Sequence, residues 1–306
     1  VGMTAAPVSP DTRTPGRITG WLRARLVPLA IANLCANILL VVTGGVVRLT
    51  SSGLGCPTWP KCTEGSYVRH GATGIHGVIE FSNRMLTYVL TAIAIAVVVA
   101  AWKHVGRVRR LAVGIALGIP LQAVIGGISV LTDLNPWVVS FHLLASMAMI
   151  CLCVWMLDIL WSPVRGGSPG GVRGLAWATF AAGWVVLWLG TVVTGSGPHS
   201  GDLESKRTGL DPATMSHIHA FAVYVLVALT VWLLVVVRRQ PYQRLVVAVL
   251  LGVQLAQGVV GWIQYETGLP AWVVGLHMLG AALTAAGLAR VVLSTHPHPD
   301  SALPHR

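Results

Sequence analysis

Eight apolar runs of about twenty residues each limit what this chain can fold into. They cover roughly 27–47, 75–101, 111–131, 137–161, 175–194, 215–237, 245–265 and 271–293. Each matches the ~20 residues that a helix needs to cross a hydrocarbon core. Inside such a core, only helices and closed barrels satisfy their own backbone hydrogen bonds. A barrel does not suit these runs, which lack alternation and are about twice the ~10 residues of a tilted strand. A composition of 54% hydrophobic and 10% charged residues agrees, so the expected fold is an all-α membrane protein with eight transmembrane helices.

One part of the chain is used twice. Leu121–His142 reads LQAVIGGISVLTDLNPWVVSFH and Ala256–His277 reads AQGVVGWIQYETGLPAWVVGLH, which places Gln122 on Gln257, Gly126 on Gly261, Thr132 on Thr267, Trp137 on Trp272 and His142 on His277. The offset is constant at 135 residues, the mark of a duplicated helical hairpin. A fainter echo relates TSSGLGC at 50–56 to TGSGPHS at 194–200. The Gly/Pro/Ser-rich stretch SPVRGGSPGG falls after four of the eight runs. The expected organisation is therefore two parallel-repeat four-helix bundles, since four is even and both halves keep one orientation. Its parts are a tail at 1–25, a first half at 26–161, a linker at 162–174, a second half at 175–293 and a tail at 294–306.

The formal net charge of +11 raises the question of nucleic acid, and the placement of the basic residues answers it. Arg13, Arg17, Arg23 and Arg25 precede the first run; Lys103, Arg107, Arg109 and Arg110 follow the second; Arg165 and Arg173 follow the fourth; Arg238, Arg239 and Arg244 follow the sixth. The turns after the third and seventh runs carry none. The positive-inside rule then expects both termini on the cytoplasmic side of the plasma membrane, with no nucleic-acid partner. No cleaved signal is evident, because the first apolar run is long enough to span.

With that sidedness, His76, His142, His219 and His277 all lie in the first turns of runs that enter from outside, in one layer near the outer face. Four-helix bundles build cofactor sites from side chains on facing helices, so imidazoles at matched depth point to iron. His217 is a rival to His219, two residues away on another helix face. In the second run His76, Glu80 and Asn83 follow i, i+4, i+7 spacing and form one polar stripe. Glu80 is the acidic residue set in the outer part of a run, by default a functional signal; the bland alternative is an ion pair with Arg84 at i+4. Asp158 is expected to snorkel at the cytoplasmic end. His70, His199, His104, His296, His298 and His305 are read as solvated. Cys35, Cys151 and Cys153 read as small apolar residues. Cys56 and Cys62, in GCPTWPKC, read as a disulfide on an oxidising face or as a free, redox-active pair.

Taken together, TGGVVRLTSSGLGCPTWPKC, IEFSNR, LQAVIGG with VVSFHLLAS, TGSGPHSGD, SHIHA and GLHMLGA resemble the heme A synthase family over about 26–293. The resemblance implies a pseudo-twofold pair of bundles, with heme b between His219 and His277 and the substrate heme O received near His142 and Glu80. It also implies a redox-sensitive pair at Cys56 and Cys62. Oxidation of the C8 methyl of heme O to a formyl group by successive hydroxylations would supply heme A to terminal oxidases, with heme O handed over by heme O synthase. Glu80, His76 and Asn83 are the catalytic candidates; the electron donor and a homo-oligomer are left open. Two departures matter. Many members carry histidine where this chain has Asn83, which leaves one-sided ligation of the first-half heme or ligation by His76 both open. Some also carry a second cysteine pair, absent from 195–214 here. The rival class is a non-enzymatic di-heme b-type electron-transfer cytochrome.

Overall fold

The computed structural model describes residues 21–298 apart from 23, 69–73, 105 and 203. The described residues form eight long helices: α1 (Leu26–Leu49), α2 (Gly74–Ala101), α3 (Arg107–Leu131), α4 (Pro136–Trp161), α5 (Gly170–Ser196), α6 (Pro212–Val236), α7 (Pro241–Glu266) and α8 (Ala271–Thr295). All eight are long and apolar enough to cross a membrane. Proline opens α4, α6 and α7, where its fixed φ favours the first turn and its missing N–H costs nothing. Asn135 caps α4 by accepting from the Trp137 amide. No strand longer than a single bridge, Thr63 with Ser66, occurs among the described residues. Of the expected tails at 1–25 and 294–306, residues 1–20 and 299–306, the latter with His305, lie outside the described residues, as does His70.

Each half closes on itself. Helix α1 packs on α2 and α4, and α3 packs on α2 and α4; the same pattern joins α5, α6, α7 and α8. The halves meet through α4 against α8, α1 against α8 and α4 against α5. Exchanging every helix for the one four places along leaves this pattern unchanged. Helices α1, α3, α5 and α7 run away from the end of the bundle that carries the first and last described residues, and the even-numbered helices return to it.

The repeated hairpin is repeated in backbone detail. Thr132 Oγ1 donates to Ile128 O at 2.8 Å and Thr267 Oγ1 to Ile263 O at 2.7 Å. The Leu134 amide donates to Ser129 O and the Leu269 amide to Gln264 O, both at 2.8 Å. Two left-handed residues make each turn, Asp133 and Leu134 in one copy, Gly268 and Leu269 in the other. A six-to-one hydrogen bond closing over left-handed residues is how a helix end satisfies its last carbonyls.

The packed apolar core is uneven along the helix axes. In α6 the buried residues are Leu226, Thr230 and Leu233, and in α7 Val247, Leu250 and Gln254, all toward the end that carries the termini. In the first half Ala94, Val97, Ala100, Ala112, Ile115 and Met156 occupy the same level. Val41, Met147, Ile150, Leu187, Ala282 and Ala285 fill the seam between the halves.

At that end the linker and tail depart from the expected solvated stretches. Helix α5 begins at Gly170, inside the span read as linker, with Pro169 just outside it. Asp158 does not snorkel: it is 4% exposed and pairs with both Arg165, at 2.8 Å, and Arg290. Arg165 also donates to Leu293 O at 2.7 Å, and the Ser168 amide to Thr295 O at 2.8 Å. His298 is buried, its Nε2 bonded to Asp158 O, and His296 packs edge-on against Trp177. A carboxylate this buried has to be paired, and two cations from outside its own helix supply the pairing.

Candidate functional site

The opposite end of the bundle gathers the polar chemistry. Three imidazoles lie there in a shared setting: a glycine one helix earlier forms the shelf under each ring. A β-carbon on Gly126 would stand 3.3 Å from His142 Cε1, one on Gly190 3.3 Å from His219 Cε1, and one on Gly261 3.3 Å from His277 Cε1. Any larger side chain would push the rings away. The Nδ1 atoms of His142, His219 and His277 are buried with no hydrogen-bond partner among the described residues. Buried polar nitrogens are nearly always satisfied, so three orphans at related positions require a cause.

In the second half two of these rings face each other. The His219 and His277 centroids are 6.5 Å apart with planes at 76°. One metal ion bonded at about 2 Å to a nitrogen of each ring would fill that separation. Neutral imidazole nitrogens are good ligands for iron, and the packed core of α6 starts only at Leu226, about two turns beyond His219. The residues present therefore fit a metal carried between α6 and α8. His217 is exposed and lies beside the Tyr265 ring instead, at 6.2 Å.

The first half is built differently. The stripe of His76, Glu80 and Asn83 does share one side of α2, but each residue holds a neighbouring segment. His76 Nδ1 and the buried Ser52 hydroxyl are 3.0 Å apart. Asn83 Oδ1 accepts from Thr43 on α1 at 2.7 Å. Glu80, 5% exposed, accepts from the Cys56 amide at 2.6 Å and from Arg84 at 2.5 and 3.1 Å. Arg84 in turn donates to three carbonyls of the cysteine loop: Cys56 at 2.9 Å, Thr58 at 3.2 Å and Lys61 at 3.2 Å. The ion pair with Arg84 is thus real, and its wider effect is to fasten the loop to α2. No ring contact pairs His142 with His76 among the described residues.

That loop is cross-linked. Cys56 and Cys62 form a disulfide, both sulfur-bearing residues essentially inaccessible. Between them Trp59 lays its indole directly on Gly127, leaving no room for a β-carbon there. Gly127 adjoins Gly126, the shelf of His142, so the loop reaches the edge of the first-half imidazole.

Several polar residues escaped sequence reasoning. Asn33 and Asn37 are buried on α1, with Asn37 Nδ2 donating to Asn33 O at 2.8 Å and both amides near Cys153 Sγ, at 3.8 and 3.7 Å. Their i, i+4 spacing in an apolar run was the available signal. Gln122, duplicated as Gln257, donates to Ser146, whose hydroxyl donates to His142 O at 2.9 Å. Arg48, in the last turn of α1, reaches across to the second half, donating to His199 O at 2.6 Å and Thr194 O at 3.0 Å.

Comparison with known proteins places this arrangement. Residues 28–198 match the family model described as cytochrome oxidase assembly protein, COX15-CtaA. The chain is similar to the heme A synthase of Geobacillus thermodenitrificans, 25% identical over 168 residues, covering 52% of each chain. It is similar to that of Lysinibacillus sphaericus, 27% identical over 174 residues, 54% of this chain and 56% of the relative. Against that of Bacillus pumilus it is 30% identical over 119 residues, 37% and 38% of the two chains. The chain thus spans about half the length, or less, of the curated relatives it matches. The family model covers nearly all of the first half, the linker and α5, which is more than half of the sequence: the chain belongs to the cytochrome oxidase assembly protein family.

Proposed function

We propose that this protein is a heme A synthase, oxidising the C8 methyl of heme O to a formyl group for terminal oxidases. The observation that carries the reading is the facing pair His219 and His277, with buried Nδ1 atoms that lack partners, inside a member of an oxidase assembly family. The names of the similar proteins supply the reaction; the residues supply a division of labour. His219 and His277 would hold a resident heme b, the redox group of the second half. His142, on its glycine shelf, is the first-half residue suited to receive heme O, with His76 the remaining imidazole of that half. Iron would supply the oxidising chemistry when bound.

What the chain itself contributes is position and exclusion of water. Trp59, on Gly127, closes the edge of the His142 region. Glu80 and Arg84 keep the loop that carries Trp59 in place. Both carboxylate oxygens of Glu80 are engaged, Oε2 by the Cys56 amide and Oε1 by Arg84, so Glu80 acts here as a positioning residue, and Asn83 positions α1 through Thr43. The basic residues around α1, α2, α4 and α6 support an orientation with both termini cytoplasmic and the histidine end toward the outer face. Heme O synthase is the enzyme class that would hand over the substrate.

The test is expression in a host that makes heme O but not heme A, followed by extraction of the hemes. Heme A or its hydroxylated precursor is expected. Heme b and unchanged heme O alone would reject the enzyme and favour an electron-transfer cytochrome.

A further inference from the structure

We propose that Arg48 and Arg207 form a carboxylate-binding site that holds the propionate groups of a porphyrin seated between His219 and His277. The proposal rests on the reading of those histidines as iron ligands. Arg48 comes from the first half but lies at the rim of the second. Its Nε and Nη2 donate to the carbonyls of His199 and Thr194. Thr194 bonds back to Gly190 O at 2.7 Å, and Gly190 is the shelf under the His219 ring. The next residue, Leu49, lies against Gly275, two residues before His277. The guanidinium therefore stands about one helical turn beyond the imidazole pair, toward the end of the bundle.

What it lacks is an anion. No carboxylate lies within ion-pair distance of Arg48 among the described residues; the acidic partners of arginines there are Glu80 and Asp158. The charged neighbour is instead Arg207, a second cation: the residue after it, Thr208, donates its amide to Gly195 O at 3.1 Å, next to the Thr194 carbonyl that Arg48 holds. Arg48 Nη1 makes no hydrogen bond, and Arg207 makes none at all, within the described residues. A half-buried cation answered only by backbone carbonyls and a second cation is costly unless something negative joins it. Arginine forks take carboxylates with two parallel hydrogen bonds. A porphyrin dicarboxylate carries iron at its centre and two carboxylates along one edge. An imidazole pair with two unneutralised arginines one turn outward complements both features.

The experiment uses the detergent-solubilised holoprotein, wild type and the variants Arg48→Gln, Arg207→Gln and Arg48→Lys. Two quantities are read: the midpoint potential of the low-spin heme and the rate of heme transfer to excess apomyoglobin. Losing a nearby positive charge favours ferric iron, so both glutamine variants should shift the potential downward. Each should speed heme release about tenfold, about 1.4 kcal/mol. Arg48→Lys should restore the potential but not the release rate, since lysine keeps the charge without the fork. If Arg48 merely tied two carbonyls, Arg48→Gln would lower yield and leave the potential of the folded fraction unchanged, which overturns the proposal. Arg207 is exposed and makes no structural bond, so Arg207→Gln tests the site even if Arg48→Gln fails to accumulate; unchanged potential and release there overturn it too. A wild-type protein with no low-spin heme would instead overturn the reading of His219 and His277.

Discussion

The two halves have the same helix contacts and the same α3–α4 and α7–α8 turn, yet they spend their polar residues in different ways. In the first half Glu80, Arg84, His76 and Asn83 are all bonded to a loop or to the preceding helix, and the connecting loop is cross-linked by Cys56–Cys62. In the second half the corresponding loop has no cysteine. It is held by a hydroxyl pair, Ser196 with Thr208 at 2.5 Å, by Arg48, and by His199 Nε2 against Leu269 O at 3.0 Å. There the imidazoles His219 and His277 face each other, and their buried Nδ1 atoms have no hydrogen-bond partner among the described residues. One scaffold thus offers a loop-capped face on one side and a facing imidazole pair on the other, the difference on which the proposed division of labour rests.

The comparison breaks most visibly at the imidazoles. His219→Ala or His277→Ala should abolish the low-spin, six-coordinate heme spectrum, because one of two axial ligands is lost. His142→Ala and His217→Ala should leave that spectrum in place. Equal loss from His142→Ala would mean that both halves hold the same kind of heme and that the asymmetry is false.

The next largest effect concerns Glu80 and Arg84. Removing one partner of a buried charge pair costs about 3–5 kcal/mol when the survivor is fully enclosed, and less here because the Arg84 side chain is 22% exposed. If the pair works by fastening the cysteine loop, Glu80→Gln and Arg84→Gln should reduce heme A formation to a similar extent, by about tenfold or more, while second-half heme b stays near wild type. A far deeper loss in Glu80→Gln than in Arg84→Gln, with both proteins well folded, would show that the carboxylate itself handles protons.

The eight helices were legible from the sequence because length and hydropathy alone decide a membrane span, and the 135-residue offset exposed the repeated turn. Glu80–Arg84 was legible as an i, i+4 pair. Its four bonds to the cysteine loop were not, since spacing within one helix says nothing about which loop folds onto it. Trp59 on Gly127 and Arg48 on Thr194 join residues 68 and 146 positions apart, with no periodic signal. His296 and His298 were read as solvated from composition, because a Pro-bearing polar stretch looks the same whether or not it docks; Asp158 was read as snorkelling because its two cationic partners lie outside its own helix.

A smaller effect is expected from the cross-link itself. Closing a loop this short restricts the unfolded chain by about 2 kcal/mol, but Glu80 and Arg84 hold the same segment, so Cys56→Ser should still fold. In wild-type protein kept from reductants, mass spectrometry should find the linked peptide, and alkylation should reach neither Cys56 nor Cys62 until a reductant is added. Free labelling of both before reduction would remove the staple that distinguishes the first loop from the second.

The smallest effect tests whether the second loop, without a disulfide, depends on polar contacts at its end. Asp211 precedes α6 and accepts from Thr214 Oγ1 at 2.6 Å and from the Thr214 amide at 2.7 Å. Those hydrogen bonds, the side-chain one first, hold its carboxyl below the ordinary carboxylate range. A carboxyl depressed by folding stabilises the protein above its unfolded value, near 3.9, and that contribution is lost as pH falls through the lower folded value. The first turn of α6, two turns before His219, should therefore lose amide protection only in acid, measured as exchange at Thr214 relative to its intrinsic rate. Asparagine also caps helices but does not titrate there, so Asp211→Asn should keep the protection and remove its acid dependence, whereas Asp211→Ala should lose it at every pH. Because Asp211 is fully exposed, the difference should be modest and should shrink with added salt. Protection in Asp211→Ala equal to wild type at neutral pH would show that apolar packing, as in the core nearer the termini, already fixes the start of α6.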